Sequence, residues 1–229
     1  MEYRKLGHTD INVSKICLGT MTCGEQNTEK EAHEQLDFAI DSGINFIDVA
    51  EMYPVPPRAE TYGLTESYVG NWLNKRKDRD NLIIATKVSA KAEWLPYIRD
   101  GQIKLDEKNI NQALDDSLKR LKTDYVDLYQ MHWPEPDNRI EEGWATMIDL
   151  KRAGKVRAIG VSNFNVAQME RLEAMHPVAS LQPPYNMLHR QLENEMLPWC
   201  QKRQISACVY WPLMKGLLAG KLPADHVYD

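Results

Sequence analysis

The chain has 229 residues, of which 43% are hydrophobic and 27% charged, and carries a formal net charge of −5. That length suits one globular domain over residues 1–229 with a sizeable core, and the acidic balance leaves no basic footprint for nucleic acid. No apolar stretch approaches the roughly 20 residues of a membrane helix, and the opening MEYRKLGHTDINV lacks a signal core, so a cytoplasmic chain without membrane contact is expected.

In chain order, the first apolar run is KICLGT, reaching Gly19 and Thr20. Thr28 then caps a helix over EKEAHEQLDFAIDSG, with Ala32, Leu36, Ala39 and Ile40 on one face and a stop at Gly43. INFIDVA delivers Asp48 at its end and Tyr53 just beyond, and LTESYVGNWLNKR has helical period. NLIIATKV closes on Lys87; the connection after it, SAKAEWLPYIRDGQIKL, is long enough to be either a flap or a small excursion of its own. DEKNINQALDDSLKRLKTD aligns Ile110, Ala113, Leu114, Leu118 and Leu121, acidic at its start and basic at its end as the helix dipole favours. YVDLYQMH ends on His132, VRAIGVSN on Ser162 and Asn163, ASLQPPYN carries Gln182, and ISACVYWP reaches Tyr210. IEEGWATMIDLKRAG, VAQMERLEAM and ENEMLPWCQKR supply the helices between them.

Strand-length apolar runs alternating with helices predict a parallel sheet under helical cover. A doubly wound nucleotide fold would place GxGxxG after its first strand, but GTMTCGEQN stands there. The α/β class is therefore a (β/α)8 barrel, in which functional side chains gather at the C-terminal rim of the strands. The polar or special endings of all the runs obey that phase. A complete barrel takes eight strands and about 250 residues; seven runs are visible, so the eighth βα unit is expected to be missing.

The rim residues suggest acid catalysis. A phenol with an ordinary pKa of about 10 is a poor acid near neutrality, and a neighbouring ammonium favours its ionised form. Lys87 can supply that charge to Tyr53, Asp48 can compensate a buried lysine, and His132 can steady a carbonyl oxygen. Singly, each has an ordinary structural reading as a turn, snorkelling or packing residue; on three successive strand ends, the joint reading is the stronger one. Met52, Trp94 and Trp133 suit either an apolar pocket lining or plain packing.

DVAEMY together with Lys87 and His132 resembles the Asp, Tyr, Lys, His tetrad of the aldo-keto reductases, barrel enzymes that reduce aldehydes and ketones with NADPH. The likeness runs through LGTMTCGE, GLTESYVGNWL, DDSLKRLKTDYVDLYQMHWP, GKVRAIGVSNF and QPPYN to YWPLMKGLLAGK, and EMYPVPPR resembles a bacterial Tas-like branch. It implies Tyr53 as general acid, Lys87 as the group that lowers its pKa, Asp48 as the partner of Lys87, and His132 as the orienter of the carbonyl. It further implies NADP(H) contacts from Gly19, Thr20 and Met21, carboxamide contacts from Ser162, Asn163 and Gln182, and ring stacking by Tyr210. Pro212, Leu213, Lys215 and Gly216 would lead into a helix start that grips the pyrophosphate. Trp211 stands where the family usually has a small serine.

Cys17, Cys23, Cys200 and Cys208 form no CxxC pair and read as free thiols. No metal is expected, since the histidines, including His226, show no HExxH spacing, and no GxSxG elbow points to a hydrolase. The implied small-molecule partner is a carbonyl compound, and open barrel edges would favour a homo-oligomer. Without the family's C-terminal segment, coenzyme affinity and any NADP preference would be weakened. Two readings stay open: a carbonyl reductase, and a catalytically inactive, truncated or regulatory nucleotide-binding relative.

Overall fold

A computed structural model describes residues 1–137 and 139–220; the last residues of the expected domain, His226 among them, lie outside the described residues. It begins with an antiparallel hairpin, β1 (Tyr3–Lys5) paired with β2 (Asn12–Ser14), too short to show as an apolar run in the sequence. The hairpin sends Leu6, Ile11 and Val13 into contact with Phe46, Ile83, Ala85, Leu128, Ala158 and Ala179, which plugs one mouth of the sheet with apolar side chains. Its turn needs glycine. Gly7 has φ +59°, a Cβ there would lie 2.3 Å from the Ala179 carbonyl oxygen, and its N–H donates to Ser206 Oγ at 2.7 Å.

Seven parallel strands follow in chain order, each hydrogen-bonded to the next: β3 (Cys17–Gly19), β4 (Phe46–Asp48), β5 (Ile83–Val88), β6 (Val126–Met131), β7 (Val156–Ser162), β8 (Ser180–Gln182) and β9 (Ser206–Ala207). Strands buried on both faces read as continuous apolar runs, and β4, β5 and β6 are buried throughout. Between them run α1 (Glu29–Asp41), α2 (Leu64–Leu73), α3 (Glu107–Leu121), α4 (Glu141–Arg152), α5 (Val166–Glu173) and α6 (Met196–Lys202). The result is an incomplete (β/α)8 barrel: β3 and β9 each have one neighbour, and no eighth strand occurs among the described residues.

Local sequence explains the helix ends. Thr28 caps α1 in a reciprocal capping box with Glu31, worth about 1 kcal/mol, and Asp106 caps α3. Gly70 of α2 lies where a Cβ would come within 2.0 Å of the Arg120 carbonyl oxygen, so only glycine permits this approach of α2 to α3. The same pair of helices is tied by the Arg120 guanidinium on Glu66 at 2.7 Å, with Thr86 of β5 donating to that carboxylate at 2.5 Å. The main core lies between sheet and helices, with Ile84, Leu114, Tyr129 and Trp144 fully buried.

The last run departs from expectation. The ladder of β9 stops at Ala207, and Tyr210 is held by an isolated bridge to Pro184; among the described residues β9 has a partner strand on one side only.

Candidate active site

Register places the rim. Asp48 of β4 pairs with Gly19 on one side and Ala85 on the other, Lys87 with Gln130, and Ser162 with Gln182. Sheet curvature then brings distant strands together: Gln182 Nε2 on β8 donates to Asp48 Oδ1 at 2.9 Å.

At the centre is Lys87, fully buried, whose Nζ donates to Asp48 Oδ2 at 2.6 Å, to the Val49 carbonyl at 2.8 Å and to the Tyr53 hydroxyl at 3.4 Å. Three donors meet three acceptors, so the ammonium is satisfied without water. Burial pushes its pKa down, but Asp48 and then Tyr53 more than offset this, leaving it raised and the lysine charged. The His132 ring stands edge-on to Tyr53, centroids 5.7 Å apart. Burial and then the Lys87 charge hold the imidazole well below its usual pKa, hence neutral, and its buried Nδ1 has no hydrogen-bond partner among the described residues.

The expected effect of Lys87 on Tyr53 requires a correction. The ammonium does lower the phenol's pKa, but burial raises it more, and the net shift is upward. Tyr53 sits under a roof of Met52, Leu95, Ile98 and Ile103, so desolvation of the phenolate outweighs one favourable charge. The long connection after β5 forms that roof: Leu95 and Ile98 are fully buried and Ile103 nearly so, which favours the packed excursion over a flap. Trp94 extends from it against Trp133, 5.6 Å between centroids, while Met52 is packed inside.

The other expected residues divide into two groups. Thr20 is buried and donates to the Asp48 carbonyl at 2.8 Å, Met21 accepts from the Val55 N–H at 2.7 Å, and Gly19 borders open space. Ser162 Oγ donates to the Gln182 carbonyl, Asn163 donates to the His132 carbonyl at 2.9 Å, and the Tyr210 hydroxyl donates to Asn163 Oδ1 at 2.7 Å. These residues form one hydrogen-bonded band beside the tetrad. The segment expected to lead into a helix start, Met214–Ala219, is a kinked 3-10 stretch with Lys215 at φ +54° and Gly216 at φ +99°; the helix it would lead into lies outside the described residues. Pro212 and Leu213 are exposed, and Lys215 instead lays its ammonium over the Trp211 ring at 4.3 Å.

Sequence reasoning overlooked three participants. Gln130, fully buried in β6, lies 3.5 Å from Asp48 Oδ1; a glutamine inside the apolar run YVDLYQMH was the available signal. Glu51 and Arg99 form a nearly inaccessible ion pair whose carboxylate is two residues along the chain from Tyr53, and only Glu51, within the DVAEMY stretch, lay near a recognised motif. Among the described residues no three His, Cys, Asp or Glu side chains gather as metal ligands, and no helix is long and apolar enough to cross a membrane.

The incomplete (β/α)8 barrel thus carries a buried lysine, aspartate, tyrosine and histidine at the C-terminal rim of its strands. The Aldo/keto reductase family model matches residues 15–226. Protein tas of Escherichia coli is 46% identical over 245 residues, covering 96% of this chain and 70% of that protein. The NADH-specific methylglyoxal reductase of the same organism is 32% identical, covering 97% of this chain and 70% of that protein. The solved glycerol dehydrogenase AKR11B4 of Gluconobacter oxydans superposes with a TM-score of 0.83 at 30% identity, covering 99% of this chain and 68% of that one. The chain belongs to the aldo/keto reductase family of oxidoreductases.

Proposed function

We propose that the protein reduces aldehydes or ketones with NADP(H), with Tyr53 as general acid. The observation that carries this reading is the single ammonium of Lys87 in reach of both Asp48 and the Tyr53 hydroxyl in a dry chamber. When bound, the dihydronicotinamide supplies the hydride. Tyr53 gives its proton to the carbonyl oxygen, Lys87 stabilises the phenolate left behind, and Asp48 keeps Lys87 charged. His132, neutral, offers one N–H to steady the same oxygen. A flat carboxamide-bearing ring fits the rim because the half-buried Tyr210 offers an aromatic face, Ser162, Asn163 and Gln182 offer amide and hydroxyl groups, and Gly19 leaves the backbone bare. This reading keeps residues 1–229 as one barrel domain and places it in the cytoplasm, where the four cysteines, all free, stay reduced.

The test is loss of NADPH absorbance with a panel of aliphatic and aromatic aldehydes, run in parallel with NADH because one relative is named for NADH specificity. Aldehyde-dependent oxidation of NADPH is expected. Coenzyme binding without turnover on any aldehyde or ketone would instead establish the nucleotide-binding, non-catalytic alternative.

The edges support a second element of the reading, self-association. Among the described residues β3 and β9 each have a partner strand on one side only, and Ile16, Phe38 and Val209 are 56%, 74% and 38% exposed. Sedimentation velocity is expected to show a species larger than the 26.4 kDa chain. A monomer across the micromolar range would remove this element.

A further inference from the structure

The Glu51–Arg99 pair has no part in the chemistry just described, yet it joins the two segments that enclose Tyr53. Both Glu51 oxygens face the guanidinium, Arg99 Nη1 donating to Oε2 at 2.5 Å and Nη2 to Oε1 at 3.1 Å. Oε1 also accepts the Ser89 N–H at 2.6 Å, two residues beyond Lys87. Arg99 Nε reaches Asn109 Oδ1 at 3.0 Å, which anchors the pair to the first turn of α3. The side chains are 6% and 1% exposed. Arg99 and Asp100 adopt φ of +47° and +53°, left-handed conformations costly for non-glycine residues, so the surrounding contacts must hold this turn in place. Burial pushes the Arg99 pKa down, but the Glu51 charge and its hydrogen bonds more than offset this and leave it raised.

We propose that Glu51 and Arg99 are positioning residues: their ion pair latches the connection between β5 and α3 onto the Tyr53 loop and holds the phenol in its dry place above Lys87. Glu51 is two residues from Tyr53, and Arg99 follows directly on Ile98, which packs in the same apolar cluster as Tyr53. The latch rests on the reading of Tyr53 as the acid, but it makes a statement about the phenol that needs no turnover. Facing that phenol are the charges of Lys87 and Asp48, with His132 edge-on and Tyr210 farther out. Releasing the roof admits water, removes the larger, burial-driven contribution and leaves the ammonium, so the phenol becomes more acidic.

The experiment follows the Tyr53 ring carbon resonance of 13Cζ-tyrosine-labelled protein with pH, assigned by its loss in Tyr53→Phe, together with hydrogen exchange of the Ser89, Leu95, Ile98 and Gln102 amides. In Arg99→Met the acidity constant of Tyr53 is expected to rise about tenfold or more, one pH unit, with faster exchange at those amides. Arg99→Lys, which keeps charge without the fork, is expected to fall between it and the parent. An unchanged Tyr53 titration in a folded Arg99→Met protein overturns the latch, whether or not exchange rises. If Arg99→Met fails to fold, Asn109→Ala, which removes only the outer anchor, is expected to shift Tyr53 in the same direction by less, and no shift there overturns it equally. Failure of aldehyde reduction with the Tyr53 shift intact would sink the reductase reading and leave the latch standing.

Discussion

Tyr53→Phe is expected to lower aldehyde reduction by about 10²- to 10⁴-fold, the usual contribution of a positioned general acid, with the unfolding transition nearly unchanged. The ring is 7% exposed and keeps its packing on Met52, Leu95 and Ile98, so the apolar contribution survives. What is lost is a hydroxyl whose one described hydrogen bond is the 3.4 Å contact from Lys87, and that ammonium retains Asp48 at 2.6 Å and the Val49 carbonyl at 2.8 Å. The raised pKa strengthens the expectation: at neutral pH the phenol is fully protonated, and the proton becomes transferable when developing negative charge on the carbonyl oxygen meets the Lys87 field. Steady-state rates with NADPH and one reactive aldehyde, compared with coenzyme affinity by fluorescence, separate the acid from a binding role. Parent-like kcat in the phenylalanine protein would remove Tyr53 from the mechanism.

The second large effect belongs to stability. Asp48→Asn leaves the Lys87 ammonium, wholly buried, without a counter-charge; breaking a buried pair in this way costs about 3–5 kcal/mol. Asparagine keeps one oxygen for the Gln182 amide, so the cost is electrostatic and not a void. The pH dependence fixes the sign. In the parent the folded pKa of Lys87 is raised, so its contribution is complete below the unfolded value of about 10.4 and fades as pH rises past the folded value. In Asp48→Asn, burial loses its main opponent, Tyr53 being the one left against it, and the folded pKa is expected to drop below the unfolded value. The deficit is then greatest near neutrality and shrinks as pH approaches the unfolded value, where lysine loses its charge in both states. Urea denaturation at neutral and alkaline pH measures both quantities, and Asp48→Asn/Lys87→Met should recover most of the loss because no charge remains to be buried. A neutral-pH loss below about 1 kcal/mol would mean that water reaches Lys87.

Much of this architecture was legible along the chain. All seven apolar runs became parallel strands, Thr28 began a helix where the capping pattern put it, and the DEKNINQALDDSLKRLKTD segment became α3. The phase that sets Asp48, Lys87, His132, Ser162 and Gln182 at strand ends held as well. These features depend on period, β-branched content and capping chemistry within a few residues, which is why local reading reaches them. The hairpin of β1 and β2 escaped because three-residue strands with exposed side chains on β1 have no such period.

Contacts between distant segments were decided only in the folded molecule. Asp48 takes a hydrogen bond from Gln182, 134 residues away, because the sheet curves. Lys215, on a stretch of left-handed backbone, lies over the Trp211 ring. Tyr53 took a raised pKa instead of a lowered one because the Leu95, Ile98 and Ile103 roof dries it more strongly than one ammonium can compensate. Residue identity along the chain specified which groups could meet, through local propensity and strand phase. Their protonation and partners followed from desolvation and from side chains brought in from elsewhere in the barrel, quantities that exist only once the chain is packed.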